Sequence, residues 1–227
     1  MINQDDQAFL TQHLNFWDHI TPDEQALLFQ HTNSVQFTAG QSLHSGDRDC
    51  IGILLVKKGC LRTYMLSDKG KDITLYRLYP GDLCILSASC ILQNITFDVH
   101  IDVEEDSEVL LIHTSIFAKL VKENIYVENF SNKVAVDRFS DVMWAMEQIL
   151  FMSFDERLAL FLLDESAKCG SNTIKLTHEQ IAKYMGSARE VVSRMLKYFQ
   201  QEELVSLSRG GVTIKDKTKL KKRFLFS

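Results

Sequence analysis

The amino-acid sequence predicts an α+β protein with a β-rich N-terminal half, a long helix and a small C-terminal helix-turn-helix domain. Three observations support this fold class. Between residues 35 and 113, short apolar runs alternate with turn residues roughly every ten positions, as in antiparallel sandwiches and barrels. From residue 114 to residue 169, Gly and Pro are absent, which favours helices. The C-terminal segment combines two closely spaced helix starts with a hairpin pattern.

Capping signals near the N-terminus predict a helix that precedes the β-rich region. Thr21 stands before Pro22, and Glu24 follows three positions after Thr21. Threonine is a favourable N-cap, proline suits the first helical position, and the glutamate completes a capping box. In the region that follows, Gly52–Val56 and Asp72–Leu78 have the composition of strands.

The long helix carries a narrow apolar stripe with the spacing of a coiled coil. Its residues, separated by alternating steps of four and three, are Ala135, Phe139, Val142, Met146 and Ile149. Val127, Phe130 and Val134 extend the apolar pattern upstream. Such a stripe favours a homodimer, and packing of the helix on its own domain is the alternative.

A further helix is predicted to begin at Ser153, because Ser153 and Glu156 form a capping box. The preceding helix must end shortly before this N-cap. The segment Phe151–Ser153 is therefore the predicted hinge between the long helix and the C-terminal domain.

The C-terminal domain is predicted to be a winged helix. Thr177 is the N-cap of a capping box that starts one helix, and Gly186 ends that helix. Ser187 and Glu190 form a second box, which starts the next helix. The run Val205–Ile214 contains a glycine pair between two apolar segments, which predicts a hairpin.

The charge of the chain is divided unevenly between its two parts. From residue 168 onward there are 13 Lys and Arg and 5 Asp and Glu, a net charge of +8. Residues 1–167 hold 12 basic and 25 acidic side chains, a net charge of −13. A basic C-terminal part predicts nucleic acid as its partner, and a solvated lysine-rich terminus is the alternative.

Other classes of protein are disfavoured by what the sequence lacks. Its apolar runs are too short to span a bilayer, and its first residues lack the features of a signal peptide. Five cysteines without close spacing argue against a disulfide framework. We therefore expect a cytoplasmic protein that does not associate with membranes.

The second helix of the predicted helix-turn-helix carries the candidate base contacts. Side chains near the start of such a helix reach base edges in the major groove. Arg194 can donate two hydrogen bonds to guanine, and Glu190 can accept one from the amino group of cytosine. The alternatives are a surface salt bridge for Arg194 and the capping box for Glu190.

Further DNA contacts are predicted around these two residues. Arg189 and the helix start at Ser187 suit phosphate, through charge and free N–H groups. Ser193 either contacts DNA or is a small residue that permits close approach. Thr177 at the start of the first helix and Arg209 in the hairpin turn complete the set of predicted DNA-binding residues.

Several of these features together resemble the CRP/FNR family of bacterial transcription regulators. The resemblance rests on the run Glu190–Arg194, on Gly59, on the Pro80-Gly81-Asp82 corner and on the long helix. It implies an antiparallel β-roll sensor domain over residues 1–116, a dimerisation helix and hinge over 117–152, and a winged helix over 153–227. It also implies four partners: double-stranded DNA, a second copy of the chain, a small-molecule effector and RNA polymerase.

Within this family, the Glu-x-x-Ser-Arg spacing looks like the FNR branch, which implies a palindrome of TTGA-like half-sites. Members that bind cyclic nucleotides carry Gly-Glu and Arg-Ser pairs after a Gly-Asp corner. This chain lacks the Gly-Glu pair there and has no Lys or Arg from Gly81 to Val109, so cAMP is not the expected effector. The effector-pocket candidates are Leu86, Phe97, Val142 and Met143.

No cofactor and no metal site are expected. FNR-type oxygen sensing needs an N-terminal cluster of cysteines, and no cysteine precedes Cys50. Cys84 and Cys90 could form a redox pair or bind metal with His100, but buried free cysteines are the simpler interpretation.

The sequence therefore predicts a homodimeric, sequence-specific transcription regulator under the control of an unidentified effector. The alternative is an effector-binding module whose C-terminal domain serves protein contacts. An enzyme is not expected, because no nucleophile with a neighbouring base and no Gly-rich phosphate loop is recognisable.

Overall fold

The computed structural model describes residues 2–45, 51–68, 70, 72–85 and 98–224. The helices are α1 Gln4–His13, α2 Pro22–Gln30, α3 Thr114–Glu123, α4 Ile125–Phe151, α5 Phe154–Lys168, α6 His178–Tyr184, α7 Arg189–Gln201 and α8 Lys217–Phe224, with a 3-10 turn at Trp17–His19. The strands are β1 Thr32–Phe37, β2 Ser42–Ser45, β3 Ile53–Leu66, β4 Asp72–Leu78, β5 Leu83–Cys84, β6 His100–Ile112, β7 Thr173–Ile174, β8 Val205–Ser208 and β9 Gly211–Ile214.

The chain divides into two compact units. One contains Met1–Leu66 and Leu75–Val142, and the other contains Ser67–Thr74 and Met143–Ser227. The division falls inside α4. The predicted hinge lies where α4 ends at Phe151 and α5 begins at Phe154.

The strands of the N-terminal unit form an antiparallel sheet, as the turn spacing predicts. Its strand order is β1-β6-β3-β4, with β2 paired to β6 and β5 paired to β3. The long strands β3 and β6 pair through several register shifts. The buried apolar residues form two clusters, one around Leu54, Val109 and Ile101 and the other around Phe16 and Phe117.

A glycine is required at one point where β3 pairs with β6. Gly59 has φ of +89°, in the left-handed region, and it lies between two of the register shifts. A Cβ at this position would approach the Asp106 carbonyl oxygen to 2.6 Å and the Ser107 Cα to 2.7 Å. Any larger residue would force the two strands apart.

The helix starts that the sequence indicates most clearly are confirmed. Thr21 and Glu24 form a complete capping box at α2, and Ser153 and Glu156 form another at α5. The region that starts at Thr114 is two helices rather than one, because Asn124 is extended and ends α3. None of the described helices combines the length and the apolar character that a membrane-spanning helix requires.

The first half of α4 packs on the N-terminal unit. Val127 is fully buried, Phe130 is nearly so, and Val134 packs against the same cluster. For these three residues the alternative of packing on their own domain holds, so the upstream part of the apolar stripe is not available to a second copy of the chain. Arg138 continues this attachment, with an ion pair to Asp82 at 3.8 Å.

The second half of α4 exposes a row of large apolar side chains. The exposed residues Val136, Phe139, Met143, Met146 and Leu150 follow one another at steps of three and four. Of the predicted stripe, Phe139, Met146 and Ile149 are exposed, whereas Ala135 and Val142 are half-buried. The exposed stripe is thus rotated slightly from the predicted one, because Val142 packs against the sheet of its own unit.

The C-terminal domain has the predicted winged-helix elements. Strands β8 and β9 form a hairpin whose two-residue loop is Arg209-Gly210, and β7 adds a third strand beside β9. The helices and strands enclose one apolar core, with Leu162, Leu196 and Phe199 among its fully buried residues. This core holds α6 and α7 in place.

Candidate nucleic-acid interface

The turn between α6 and α7 has the geometry of a Schellman motif. Gly186 has φ of +57° and donates its N–H to the Lys183 carbonyl at 3.3 Å. The Ser187 N–H reaches back to the Ala182 carbonyl at 2.9 Å. These two bonds satisfy the last carbonyls of α6 and set the angle at which α7 leaves.

The second predicted capping box, Ser187 with Glu190, is wrong. The N-cap of α7 is Ala188, and no side chain caps the helix. The Schellman motif uses the Ser187 N–H that a capping box would need, and the first helical residue is Arg189. Glu190 is therefore the second helical residue, one position too early to complete a box.

Glu190 and Arg194 lie one turn apart on the exposed face of α7. Both side chains are exposed, and neither forms a hydrogen bond or ion pair with any residue in the described part of the chain. The two alternatives that the sequence leaves open, capping for Glu190 and a surface salt bridge for Arg194, are thus not used in this structure. Arg189 and Lys197 are exposed on the same helix.

The start of α7 can accept an anion. Ala188 provides no side-chain acceptor, so the N–H groups of Arg189 and Glu190 are available to an acceptor outside the protein, whereas the Val191 N–H donates to the Ala188 carbonyl. Arg189 adds a positive charge at this end of the helix, where the helix dipole already favours anions. The phosphate contact predicted for Arg189 and the Ser187 end of the helix stays a prediction, and the Ser187 N–H itself donates to the Ala182 carbonyl.

Ser193 is held by a histidine that sequence reasoning missed. His178, the first residue of α6, places its Nδ1 atom 2.9 Å from the Ser193 Oγ atom. Both residues are half-buried between the two helices. Burial lowers the pKa of His178, and the positive charges of Arg189 and Lys197 lower it further.

Thr177 and Arg209 have different surroundings. The Thr177 hydroxyl donates to Gln180 Oε1 at 3.0 Å and accepts from the Gln180 N–H at 3.2 Å, which completes the predicted capping box. The Thr177 hydroxyl is therefore already hydrogen-bonded within the protein. Arg209 is exposed at the tip of the β8–β9 hairpin, where Gly210 has φ of +82°.

The far end of α7 is occupied by contacts within the domain. Lys219 on α8 donates to the Glu202 carbonyl at 3.1 Å, and Arg223 donates to the Tyr198 hydroxyl at 3.2 Å. Unpartnered charge on α7 is thus found at its N-terminal end and on its exposed face. That is the end at which a helix-turn-helix protein meets base edges.

Of the effector-pocket candidates, Leu86 and Phe97 lie outside the described residues. Val142 packs against the apolar core of the sheet, and Met143 is exposed on the apolar stripe of α4. Sequence reasoning missed Arg138, whose guanidinium carbon lies 5.1 Å from the ring centre of Tyr76.

Polar groups are buried around Tyr76 in the sheet. The hydroxyls of Thr63 and Tyr76 are buried without a hydrogen bond of good geometry in the described part of the chain. Burial raises the pKa of Tyr76, as does the neighbouring thiol of Cys84, while the Thr63 hydroxyl and Arg138 act in the opposite direction.

Of the two cysteines suggested as a redox pair or metal ligands, the structure describes one. Cys84 is a buried free cysteine, whereas its suggested partner Cys90 lies outside the described residues. His100 stacks on Tyr64 with ring centres 5.2 Å apart. No group of three or more His, Cys, Asp or Glu side chains able to hold a metal occurs among the residues that the structure describes.

Comparison with known proteins identifies relatives that regulate transcription. Residues 156–223 match the family model described as a Crp-like helix-turn-helix domain. The chain is similar to the transcriptional activator protein Anr of Pseudomonas protegens, with 27% identity over 176 residues, or 74% of this chain and 70% of Anr.

Solved structures show the same similarity at the level of the fold. A protein from Eubacterium rectale described as a transcriptional regulator of the CRP/FNR family is 45% identical, with a TM-score of 0.89 over 93% of this chain and 98% of that one. FixK2 from Bradyrhizobium japonicum is 17% identical, with a TM-score of 0.68 over 84% of this chain and 96% of that one, and it shares the fold.

Proposed function

The chain belongs to the CRP/FNR family of transcription regulators, and we propose that it binds, as a homodimer, a palindrome of TTGA-like DNA half-sites. Proteins of this family are DNA-binding regulators rather than enzymes. The observation that carries the proposal is the exposed face of α7, where Glu190 and Arg194 have no partner within the described chain.

The chemistry of this face fits a half-site that contains a G·C pair. Arg194 can donate in parallel to the O6 and N7 atoms of guanine, and Glu190 can accept from an exocyclic amino group. Arg189 and the free N–H groups at the start of α7 suit a phosphate beside these bases. Arg209 at the tip of the hairpin suits a phosphate farther along the duplex.

The proposed dimer is supported by the exposed stripe of α4. Val136, Phe139 and Leu150 are 61%, 63% and 66% exposed, which is unusual for large apolar side chains on one helix. Pairing of this stripe with its copy would bury it in a coiled coil. A two-fold dimer also explains why the DNA site should be a palindrome, since each copy of α7 meets one half-site.

The proposed effector acts through the N-terminal unit. Val142 lies on α4, the proposed dimerisation helix, and packs against the sheet core, so a ligand held at that core would lie beside α4. A ligand can shift DNA binding only if it binds the DNA-competent state more tightly than the other state. Val142 and Met143 remain the proposed effector contacts, and Arg138 is added to them because it lies over Tyr76.

Selection of bound duplexes from a random pool tests this proposal. We expect enrichment of one palindrome whose half-sites contain a guanine, with affinity that falls steeply as salt rises. A parallel selection with added small-molecule cell extract would reveal a requirement for an effector. Recovery of duplexes without any shared sequence, under both conditions, would contradict the proposal and favour a C-terminal domain that serves protein contacts.

A further inference from the structure

Among the described residues, one side-chain hydrogen bond joins the first helix of the helix-turn-helix to the DNA-facing part of the second, between His178 and Ser193. His178 Nδ1 lies 2.9 Å from Ser193 Oγ, and both residues are half-buried. Ser193 precedes Arg194, the proposed guanine contact. A group that controls the Ser193 hydroxyl therefore acts beside the bases.

A serine inside a helix usually turns its hydroxyl back to its own backbone. Ser140 in α4 does this, donating to the Val136 carbonyl four residues earlier at 3.0 Å. Ser193 is also within a helix, yet its hydroxyl contacts His178 and makes no other hydrogen bond among the described residues. The imidazole thus holds the Ser193 side chain away from the arrangement that Ser140 adopts.

We propose that His178 is a positioning residue that orients the Ser193 hydroxyl, so that Ser193 donates its hydrogen bond to DNA. This inference rests on the proposed DNA-binding function and concerns the same face of α7. When the Nδ1–H of His178 donates to Oγ, the hydroxyl proton of Ser193 points elsewhere and is free for an acceptor. Such acceptors include thymine O4, guanine O6 or N7, and phosphate oxygen.

Electrostatics links this arrangement to DNA binding. The charged groups that act on His178 are Arg189 and Lys197, both on α7, the helix packed against it. In the free protein, burial and these two cations lower the pKa of His178, so the imidazole is neutral at pH 7. DNA phosphates beside the two cations oppose their effect and favour the protonated ring, whose Nδ1–H must donate to Ser193.

The direction of the resulting pH dependence follows from these shifts. Protonation is favoured more in the complex than in the free protein, so binding takes up a proton between the two pKa values. Affinity for the preferred duplex therefore increases as pH falls through the pKa of the complex. It levels off below the pKa of the free protein, which lies below the ordinary value.

The test compares full-length wild-type protein with His178→Ala, His178→Asn, Ser193→Ala and the His178→Ala/Ser193→Ala double variant. Each is titrated against the selected duplex and against duplexes with one base pair changed, between pH 5.5 and pH 8. Asparagine matches histidine because its side-chain amide places an N–H donor close to the Nδ1 position but does not titrate. Thermal unfolding of each variant confirms that it is folded.

We expect His178→Ala and Ser193→Ala to lose preference at the same base pair by about 3- to 10-fold, with no further loss in the double variant. His178→Asn should keep that preference. It should lack the part of the pH dependence that protonation of His178 adds in the wild type. If the wild type selects a duplex but His178→Ala keeps the wild-type preference and pH profile, the positioning role is overturned while the proposed function stands. If the wild type selects no duplex, both are overturned.

Discussion

At the scale of single residues, the exposed charges of α7 differ from ordinary surface charges in how they are grouped. Arg189, Glu190 and Arg194 share the N-terminal two turns of one helix, and none has a partner in the described chain. Some charged side chains elsewhere have close partners, as Lys57 does with Asp6 at 2.6 Å. These unpaired side chains form no ion pair that would stabilise the fold, and they are available to bind a ligand.

Arg194 provides the sharpest test at this scale. Arg194→Ala should cost about 1–3 kcal/mol of binding free energy for the preferred duplex, and should relax preference at one base pair. The reason is the loss of two parallel hydrogen bonds that only one base offers. Fluorescence anisotropy with a set of single-base variants of the selected duplex measures both effects.

Two substitutions serve as controls for that experiment. Arg189→Ala removes a phosphate contact, so it should weaken binding to all duplexes alike and reduce the salt slope by about 1. Lys222→Ala removes an exposed charge on α8 and should change little. An Arg194→Ala protein that weakens for every sequence equally would place Arg194 with the phosphate contacts instead.

At the scale of elements, the two halves of α4 have different surroundings. Its first half is covered by the N-terminal unit through Val127 and Phe130, and its second half leaves large apolar side chains in water. Exposure of Phe139 and Leu150 is unfavourable for an isolated chain, since burying each side chain is worth about 1.5–3 kcal/mol. A second copy of the same helix would remove both from water.

Phe139→Glu tests the role of this stripe. A charge at the centre of the apolar stripe should convert the proposed dimer to a monomer, because a buried unpaired carboxylate is costly. Sedimentation equilibrium measures the change, and DNA binding to the palindrome should weaken with it. Gln148→Glu is the matched control, because it adds the same negative charge to α4 on the face opposite the stripe. A Phe139→Glu protein that stays dimeric would exclude α4 as the dimer contact.

Helix starts were predictable where one side chain decides them. Thr21, Ser153 and Thr177 each cap a helix as the local sequence predicts. The start of α7 was not, because the Schellman turn at Gly186 uses the Ser187 N–H and moves the helix start to Arg189. Local capping patterns do not contain that information, since it depends on how the preceding helix ends.

The interface shows the same division between local and tertiary information. Glu190 and Arg194 could be chosen from spacing alone, because residues four apart share a face of a helix. The bond from His178 to Ser193 joins residues 15 positions apart and depends on how α6 crosses α7. Likewise, the register of the exposed stripe on α4 depends on which residues the sheet covers, and Val142 is one of them.

At the scale of the whole molecule, charge distinguishes the two parts of the chain. Residues 1–167, with a net charge of −13, repel DNA, and residues 168–227, with +8, attract it. Long-range attraction is thus concentrated in the segment that contains α6, α7 and the β8–β9 hairpin. A regulator built in this way can use its N-terminal unit for an effector without competing contacts to DNA.

The measurement that tests the proposed function most directly is equilibrium binding to three duplexes of equal length. One carries the selected palindrome, one has a single half-site scrambled, and one has both scrambled. We expect two chains per palindrome, together with a large loss of affinity from the first scrambled half-site and a smaller one from the second. Equal affinity for all three duplexes, or one chain bound per palindrome, would contradict a homodimer that recognises two half-sites through α7.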